Sequence, residues 1–256
     1  MISREYIESL ITQHTRVDGR KFDEYRKIEI EYGISAKSAE GSARVKIGNT
    51  EVVAGVKMEL GTPFPDKPDE GSIMVNVELL PLSSPFFESG PPSIDAIELS
   101  RVTDRGIRES KALDFKKLCV RKGEKVWLLF IDIYPINTDG NLFDACNLVA
   151  LAAIRDAVFP KIVDDKIDYH EKTKTKVPLT KLPLACTVWK VGDTFLVDPS
   201  EAEERAANAR LSVVFTEDGK ICAMQKGGDF PLTEEEIMEA VHLAEKKTKE
   251  LRRHFT

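Results

Sequence analysis

The segment SIDAIELSRVTDRGIRESKAL, from Ser93 to Leu113, organises the chain because a helical hydrophobic pattern and a concentration of charge coincide in it. At about 100° per residue, one broad apolar face carries Ala96, Leu99, Val102, Gly106 and Ile107. A face of this width is typical of a helix that packs on a core. We therefore predict a helix over this segment with one side buried.

Three arginines lie on the opposite side of the predicted helix. Arg101, Arg105 and Arg108 are spaced i, i+4 and i+7, which places their side chains within an arc of about 60°. Guanidinium groups keep their charge and match phosphate oxygens with a planar fork of donors. The spacing therefore predicts a face that binds phosphate.

The same helix has a simpler interpretation, in which the arginines only form surface salt bridges. Acidic side chains stand three or four positions from each arginine, and they are Glu98, Asp104 and Glu109. A ladder of such pairs would consume the arginines and leave none for a ligand. The pattern alone leaves both interpretations open.

Composition limits the partners of the chain. Its 256 residues are 42% hydrophobic and 31% charged, as in a globular protein. Because 37 Lys and Arg face 43 Asp and Glu, the net charge is −6, and any contact with RNA needs a local basic patch. We find no signal region, no membrane-spanning stretch and no Cys/His spacing typical of a metal site. We expect a cytoplasmic protein without metal, cofactor or membrane contact, whose scattered cysteines are buried and reduced, and these are Cys119, Cys146, Cys186 and Cys222.

The chain before the arginine helix reads mainly as strands. An amphipathic helix over 3–15 and a turn over 16–20 precede a strand over 28–34. A hairpin turning at Gly48-Asn49 and a strand over 73–80 then form a meander. We predict that this meander leads into the arginine helix.

After the arginine helix, an apolar strand over 126–136 precedes a helix over 141–159 that is apolar on nearly every side. Such a helix is predicted to lie buried between layers. Residues 163–176 are polar without periodicity and are predicted to connect two halves. The second half has further strands and ends in a helix over 233–253, with a capping box at Thr233.

These elements predict an α+β fold with mixed sheets and a buried central helix. The predicted organisation is an N-terminal helix and turn (1–26), a first half (27–162) and a second half (163–256).

Local motifs occur in a distinctive order along these elements. They are Arg16-Val17-Asp18-Gly19-Arg20 before the first strand, Gly41-Ser42-Ala43-Arg44-Val45 and Gly48-Asn49-Thr50 in the first hairpin, and the arginine helix. Together, from about residue 16 to residue 251, they resemble the RNase PH family of phosphorolytic exoribonucleases. Within that family the chain is most similar to the catalytically silent RNase PH-like subunit of the archaeal exosome ring, chiefly over 99–113 and 184–228.

The resemblance implies an RNase PH fold, with two β-α halves packed as one unit. It also implies a hexameric ring of three heterodimers with a catalytic sister subunit, and RNA-binding cap subunits of the OB or KH type. The substrate would be single-stranded RNA 3′ ends, cleaved by inorganic phosphate to release nucleoside diphosphates. In catalytic relatives the helix equivalent to 93–113 lies near RNA phosphates, so we expect Arg101, Arg105 and Arg108 to bind RNA.

The groups that catalysis requires are missing from this chain. In catalytic relatives the attacking phosphate is held by a Gly, a hydroxyl residue and an Arg at the start of the central helix. Here Gly140 is present, but Leu142 and Phe143 occupy the other two positions, and Arg210 stands opposite an Asp of the relatives. Three carboxylates match acidic positions of the family, and these are Asp198, Glu203 and Glu204. We expect no catalytic residues, and an acidic cluster that is structural or assists the sister subunit.

The preferred hypothesis is therefore a silent ring subunit, needed for assembly and for RNA binding at the active site of its sister during RNA degradation and processing. Two alternatives stay open. One is a phosphorolytic exoribonuclease active in its own right, with a rearranged phosphate site beside Gly140. The other is a purely structural adaptor without RNA contact, whose arginines are consumed by salt bridges.

Overall fold

The structure, a computed structural model, describes residues 2–255, and the backbone alone for His170. The helices are α1 (Arg4–Thr12), α2 (Ile94–Glu109), α3 (Leu142–Asp156), α4 (Glu201–Ala206) and α5 (Glu234–Leu251). The strands are β1 (Ile28–Tyr32), β2 (Gly41–Ile47), β3 (Thr50–Gly61), β4 (Ser72–Val77), β5 (Cys119–Arg121), β6 (Lys125–Asn137), β7 (Val158–Val163), β8 (Lys166–Lys176), β9 (Leu184–Val191), β10 (Thr194–Val197), β11 (Ala209–Phe215) and β12 (Ile221–Gly227). Two 3-10 turns lie at Phe115–Leu118 and Arg252–Phe255.

The first sheet has six strands in the order β1-β2-β3-β6-β4, with β5 paired to β6. The hairpin of β2 and β3 confirms the prediction, because Ile47 pairs with Thr50 across a turn in which Gly48 has a φ of 58°. The predicted meander is wrong at β4. This strand lies at the edge beside β6 and runs parallel to it. A parallel pair needs a crossover, and α2 provides it between β4 and β6.

The second sheet is antiparallel, in the order β10-β9-β11-β12. Helix α5 packs on β9 and β11 and covers one face of this sheet. The capping box that starts α5 is confirmed, since Thr233 Oγ1 accepts the Glu236 N–H (3.3 Å) and Glu236 Oε2 accepts the Thr233 N–H (3.0 Å). The other face of the sheet lies toward the central helix.

Helix α3 is the buried central helix that the sequence predicts. It packs on β2 and β3 of the first sheet and on β9 of the second. Gly41 permits the close approach of β2, because a Cβ there would lie 2.4 Å from the Ala153 carbonyl oxygen. Asn147 Oδ1 accepts the Ala185 N–H (2.8 Å) and so ties the helix to the second sheet. Helix α3 therefore packs against both halves.

Two parts of the second half differ from prediction. The segment 163–176, predicted to be a polar connection between two halves, forms most of a hairpin of β7 and β8. Asp164 and Asp165 both have positive φ (49° and 62°), as the tight turn of a two-residue hairpin requires. Helix α4 was not predicted at all, although Ser200 and Glu203 form a capping box at its start.

The start of α1, the burial of the cysteines and the hydrophobicity of the helices can also be compared with the sequence predictions. Helix α1 begins after Ser3, whose Oγ accepts the Tyr6 N–H, the contact typical of an N-cap. All four cysteines are free thiols, but Cys119 and Cys222 are only half-buried, against the expectation that all would be buried. Within residues 2–255 no helix is both long and apolar enough to cross a membrane.

Candidate nucleic-acid interface

The arginine helix is α2, and its packing fixes the direction in which the arginines point. Ser93 Oγ accepts the Ala96 N–H (3.2 Å) and caps the helix. A Cβ on Gly106 would lie 3.3 Å from Val214 Cγ2, so the helix approaches the second sheet closely. Because the predicted apolar face is buried, Arg101 and Arg105 are held on the exposed side.

The three arginines differ in what they contact. Arg101 and Arg105 are exposed, and none of the hydrogen bonds or ion pairs among the described residues engages them. Arg108 is half-buried, and its Nε and Nη2 donate to Asp104 (2.9 and 2.8 Å). Its Nη2 also donates to the Ile73 carbonyl oxygen (2.9 Å), and the hydrogen bond with Asp104 raises the pKa of Arg108. Two guanidinium groups are therefore unpaired and one is held by the protein.

Of the three salt bridges that the simpler interpretation requires along α2, one is present among the described residues. Asp104 pairs with Arg108, as that interpretation requires. Glu98 instead pairs with Arg210 at 2.5 Å, a residue of β11 in the second half. Salt bridges within the described chain therefore leave Arg101 and Arg105 available for a ligand.

The arginines line a groove between α2, β4 and β12, which we call the arginine groove. Its volume is about 820 Å³. Met74 of β4 and Met224 of β12 form part of its wall, and Met74 is 45% exposed. The lining includes Arg101, Arg105 and Arg108. The structure therefore brings the three predicted site residues together along one open groove.

The start of α3, where catalytic relatives are expected to hold phosphate, is occupied by carboxylates of the chain itself. Asn141 adopts a left-handed conformation (φ 62°), and its N–H donates to Glu204 Oε1 (2.6 Å). Its Nδ2 donates to Asp198 Oδ1 (2.9 Å). Burial raises the pKa of Glu204 to about 7. The N-cap amide of α3 is therefore already used by a carboxylate of the chain.

The side chains beside this helix N-terminus are unsuited to phosphate. Leu142 is buried and Phe143 half-buried, so no hydroxyl or guanidinium group stands at these two positions. The guanidinium carbon of Arg210 lies 4.4 Å from the centre of the Phe143 ring. With Glu98 as its ionic partner, Arg210 is fixed by a stacked ring and a carboxylate. A general-acid carboxylate is absent from position 210.

Two of the three carboxylates in the acidic cluster, Asp198 and Glu203, pair with arginines of the N-terminal segment. Arg16 is 2% exposed, and its Nε and Nη2 donate to the two oxygens of Glu203 (2.9 and 2.6 Å). Arg20 and Arg26 both donate to Asp198 (2.9 and 2.7 Å). These contacts join the N-terminal segment to α4 and to the strand end at Asp198. Sequence analysis missed this set of pairs, since their members are far apart in the chain.

No group of three or more His, Cys, Asp or Glu side chains in the described part of the chain is placed to hold a metal ion. The carboxylates near α3 are engaged by arginine and amide donors, as described above.

The fold of two sheets around a shared central helix, with a basic groove beside it, defines a protein of the RNase PH type. Residues 24–160 match the 3′ exoribonuclease family, domain 1, and residues 181–247 match domain 2 of the same family. The chain belongs to this RNase PH family, which confirms the resemblance seen in the sequence.

Relatives and solved structures place the chain more narrowly. It is 47% identical over 252 residues to the exosome complex component Rrp42 of Methanothermobacter thermautotrophicus, covering 98% of this chain and 93% of the relative. It is 46% identical over 262 residues to that of Pyrococcus furiosus, covering 98% and 92%. A chain of the Archaeoglobus fulgidus exosome with RNA bound to the active site matches with a TM-score of 0.92 at 45% identity, covering 99% and 97%. A chain of an archaeal exosome core matches at 0.87 and 42%, covering 98% and 95%.

Proposed function

We propose that this chain is a non-catalytic subunit of a ring-shaped phosphorolytic exosome, and that it binds RNA for the active site of a catalytic sister subunit. One contrast carries the proposal. Arg101 and Arg105 are unpaired in an open groove, whereas at the start of α3 the N–H and Nδ2 of Asn141 already donate to Glu204 and Asp198. A chain with these two properties can hold a phosphate backbone but cannot activate phosphate for attack.

Electrostatics supports the absence of catalysis. The Asp198 carboxylate already accepts from Arg20, Arg26 and the Asn141 side chain, so an attacking phosphate would have to compete with it for these donors. The N–H of Asn141 would have to exchange Glu204 for the phosphate. Neither Leu142 nor Phe143 could donate a hydrogen bond in compensation.

The arginine groove supports RNA contact through the phosphate backbone. Two exposed guanidinium groups one helical turn apart can each donate to a phosphate oxygen, and such contacts position a strand without reading its sequence. Arg108 belongs to the proposed RNA-binding set as well. Its Nη1 takes part in none of the described hydrogen bonds, although its other donors are used.

The proposal includes the partners that the family implies. The chain would form three heterodimers with the catalytic sister in a hexameric ring, and cap subunits of the OB or KH type would dock on one side. The ligand would be the 3′ end of single-stranded RNA. A cytoplasmic location is part of the same proposal, and it agrees with the four free thiols.

A mixing experiment tests the proposal. The chain alone should neither shorten RNA with orthophosphate nor add polyadenylate from ADP. The ring assembled with the sister should do both, and the change of Arg101, Arg105 and Arg108 to Glu should weaken its RNA binding. Robust phosphorolysis by the lone chain would instead support an independent exoribonuclease. Unchanged RNA trimming by the substituted ring would support a purely structural adaptor.

A further inference from the structure

A second groove lies between the loop after β4 and the first turn of α2, and we call it the acidic groove. Its volume is about 520 Å³. Its lining combines polar groups with apolar side chains, and the apolar ones include Leu80, Phe86, Phe87, Pro91 and Pro92. Phe86 is 54% exposed, so a large aromatic surface faces solvent at this point. Exposed aromatic rings in a concave surface are typical of protein interfaces.

The charge of this groove is opposite to that of the arginine groove. Its lining includes three carboxylates, Glu78, Glu88 and Asp95, and no Lys or Arg. No ion pair among residues 2–255 involves any of the three. Asp95 lies in the first turn of α2, where the positive end of the helix dipole stabilises its negative charge. Glu78 and Glu88 lie outside the helix and lack this stabilisation.

A fourth carboxylate lies beside the groove and increases the negative charge. Glu78 accepts a hydrogen bond from Tyr134 Oη (3.2 Å), and Asp132 lies close enough to Glu78 to feel its charge. Partial burial and the Glu78 charge raise the pKa of Asp132. A cation placed here would relieve the repulsion between these two carboxylates.

Phe86 already contacts one cation from the chain. The guanidinium carbon of Arg205 lies 4.0 Å from the centre of its ring. Because the ring remains more than half exposed, it can also contact a residue that enters the acidic groove. A guanidinium or ammonium group gains both from a ring face and from nearby carboxylates.

We propose that the acidic groove is a docking site for a basic side chain of a neighbouring subunit in the ring, an assignment that rests on the proposed function. Aromatic rings beside carboxylates that form none of the described ion pairs fit an Arg or Lys, whose aliphatic stem packs on the rings while its charged group meets Glu78 and Glu88. RNA is disfavoured, since its phosphates would meet the same carboxylates. Helix α2 thus separates an RNA-binding groove from a protein-binding groove.

The test measures assembly of the full chain with its catalytic sister subunit. Glu88→Lys and Phe86→Ala are compared with the wild type and with Glu239→Lys, which makes the same charge change at an exposed site on α5. We expect the dissociation constant of the heterodimer, from sedimentation equilibrium, to rise at least tenfold for both groove variants. The Glu88→Lys effect should shrink at high salt, and Glu239→Lys should assemble like the wild type. Circular dichroism melts confirm that each variant is folded.

Several results would overturn the proposal. Equal assembly by the wild type and both groove variants would show that no partner uses the groove. Tighter RNA binding by Glu88→Lys with unchanged assembly would assign the groove to RNA. A wild-type chain that pairs with no sister would instead refute the proposed function itself.

RNA binding by rings assembled at high concentration should be normal in Phe86→Ala. This result would separate the test of the acidic groove from that of the arginine groove.

Discussion

Replacing Arg101 and Arg105 with alanine removes the two unpaired guanidinium groups of the arginine groove. Both side chains are exposed, so the change should alter the free energy of unfolding by less than about 0.5 kcal/mol. At an exposed position a guanidinium–phosphate contact contributes about 1–1.5 kcal/mol. The double variant should therefore lose about 2–3 kcal/mol of RNA-binding free energy, which is roughly 30- to 150-fold in the dissociation constant.

Fluorescence anisotropy of a labelled single-stranded oligoribonucleotide, titrated with the assembled ring in the absence of phosphate, measures this loss. Repeating the titration between about 50 and 200 mM salt adds a second readout. Each phosphate contact to a single strand contributes about 0.7 to the slope of log K against log salt concentration. Loss of both arginines should thus reduce the slope by about 1.4.

A matched control keeps net charge from explaining the result. Arg4→Ala with Lys37→Ala removes the same two charges from exposed positions on α1 and on the loop before β2. This control should bind RNA like the wild type. An equal loss in the control, or an unchanged salt slope in the Arg101 and Arg105 variant, would refute direct phosphate contact by these side chains.

Three further predictions concern the start of α3 and the buried Arg16–Glu203 pair. The pKa of Glu204 rises from about 4.3 in the unfolded chain to about 7 in the folded one. Between these pH values the folded state binds more protons than the unfolded state, so the free energy of unfolding falls as pH increases across that range. Glu204→Gln should flatten this decline in urea titrations at several pH values, and an unchanged profile would contradict the assignment. The double variant Leu142→Ser with Phe143→Arg should still release no nucleoside diphosphate from RNA in phosphate, because Glu204 still accepts the N–H of Asn141 at the start of α3. Any such release by the lone chain would show that the carboxylates do not prevent phosphate binding. Arg16→Ala should cost about 3–5 kcal/mol, because it leaves Glu203 buried without its bidentate partner, and a cost below about 1 kcal/mol in chemical denaturation would argue against that pair.

Local sequence patterns predicted the elements that rely on local rules. The i, i+3, i+4 pattern of α2 and the capping box of α5 depend on residues within one or two turns, and the structure confirms them. The apolar character of α3 on all sides predicted its burial between two sheets. The division at 162/163 stays a prediction, and the β7–β8 hairpin crosses it.

Contacts between distant parts of the chain could not be predicted from such patterns. Glu98 stands three residues before Arg101, yet it pairs with Arg210 of β11. The Ile73 carbonyl oxygen that holds Arg108 comes from β4, which the sequence placed in a meander. Which arginines remain unpaired therefore depends on tertiary packing, which helical spacing alone does not specify.

The hydrogen bonds at the start of α3 could be predicted only in part. The loss of hydroxyl and guanidinium groups at Leu142 and Phe143 is visible in the sequence. The Glu204 carboxylate that accepts the Asn141 N–H comes from α4, a helix of six residues. A short helix gives a weak periodic signal, but the Ser200-x-x-Glu203 capping pattern could have revealed its start.

Whether the purified chain can break RNA by itself tests its proposed lack of catalysis most directly. The decisive measurement is the release of nucleoside diphosphate from single-stranded RNA by the purified chain in orthophosphate, beside a ring reconstituted with the sister subunit. We expect no release from the lone chain, and release from the ring that falls when Arg101 and Arg105 are replaced. Comparable release by the lone chain would contradict the account.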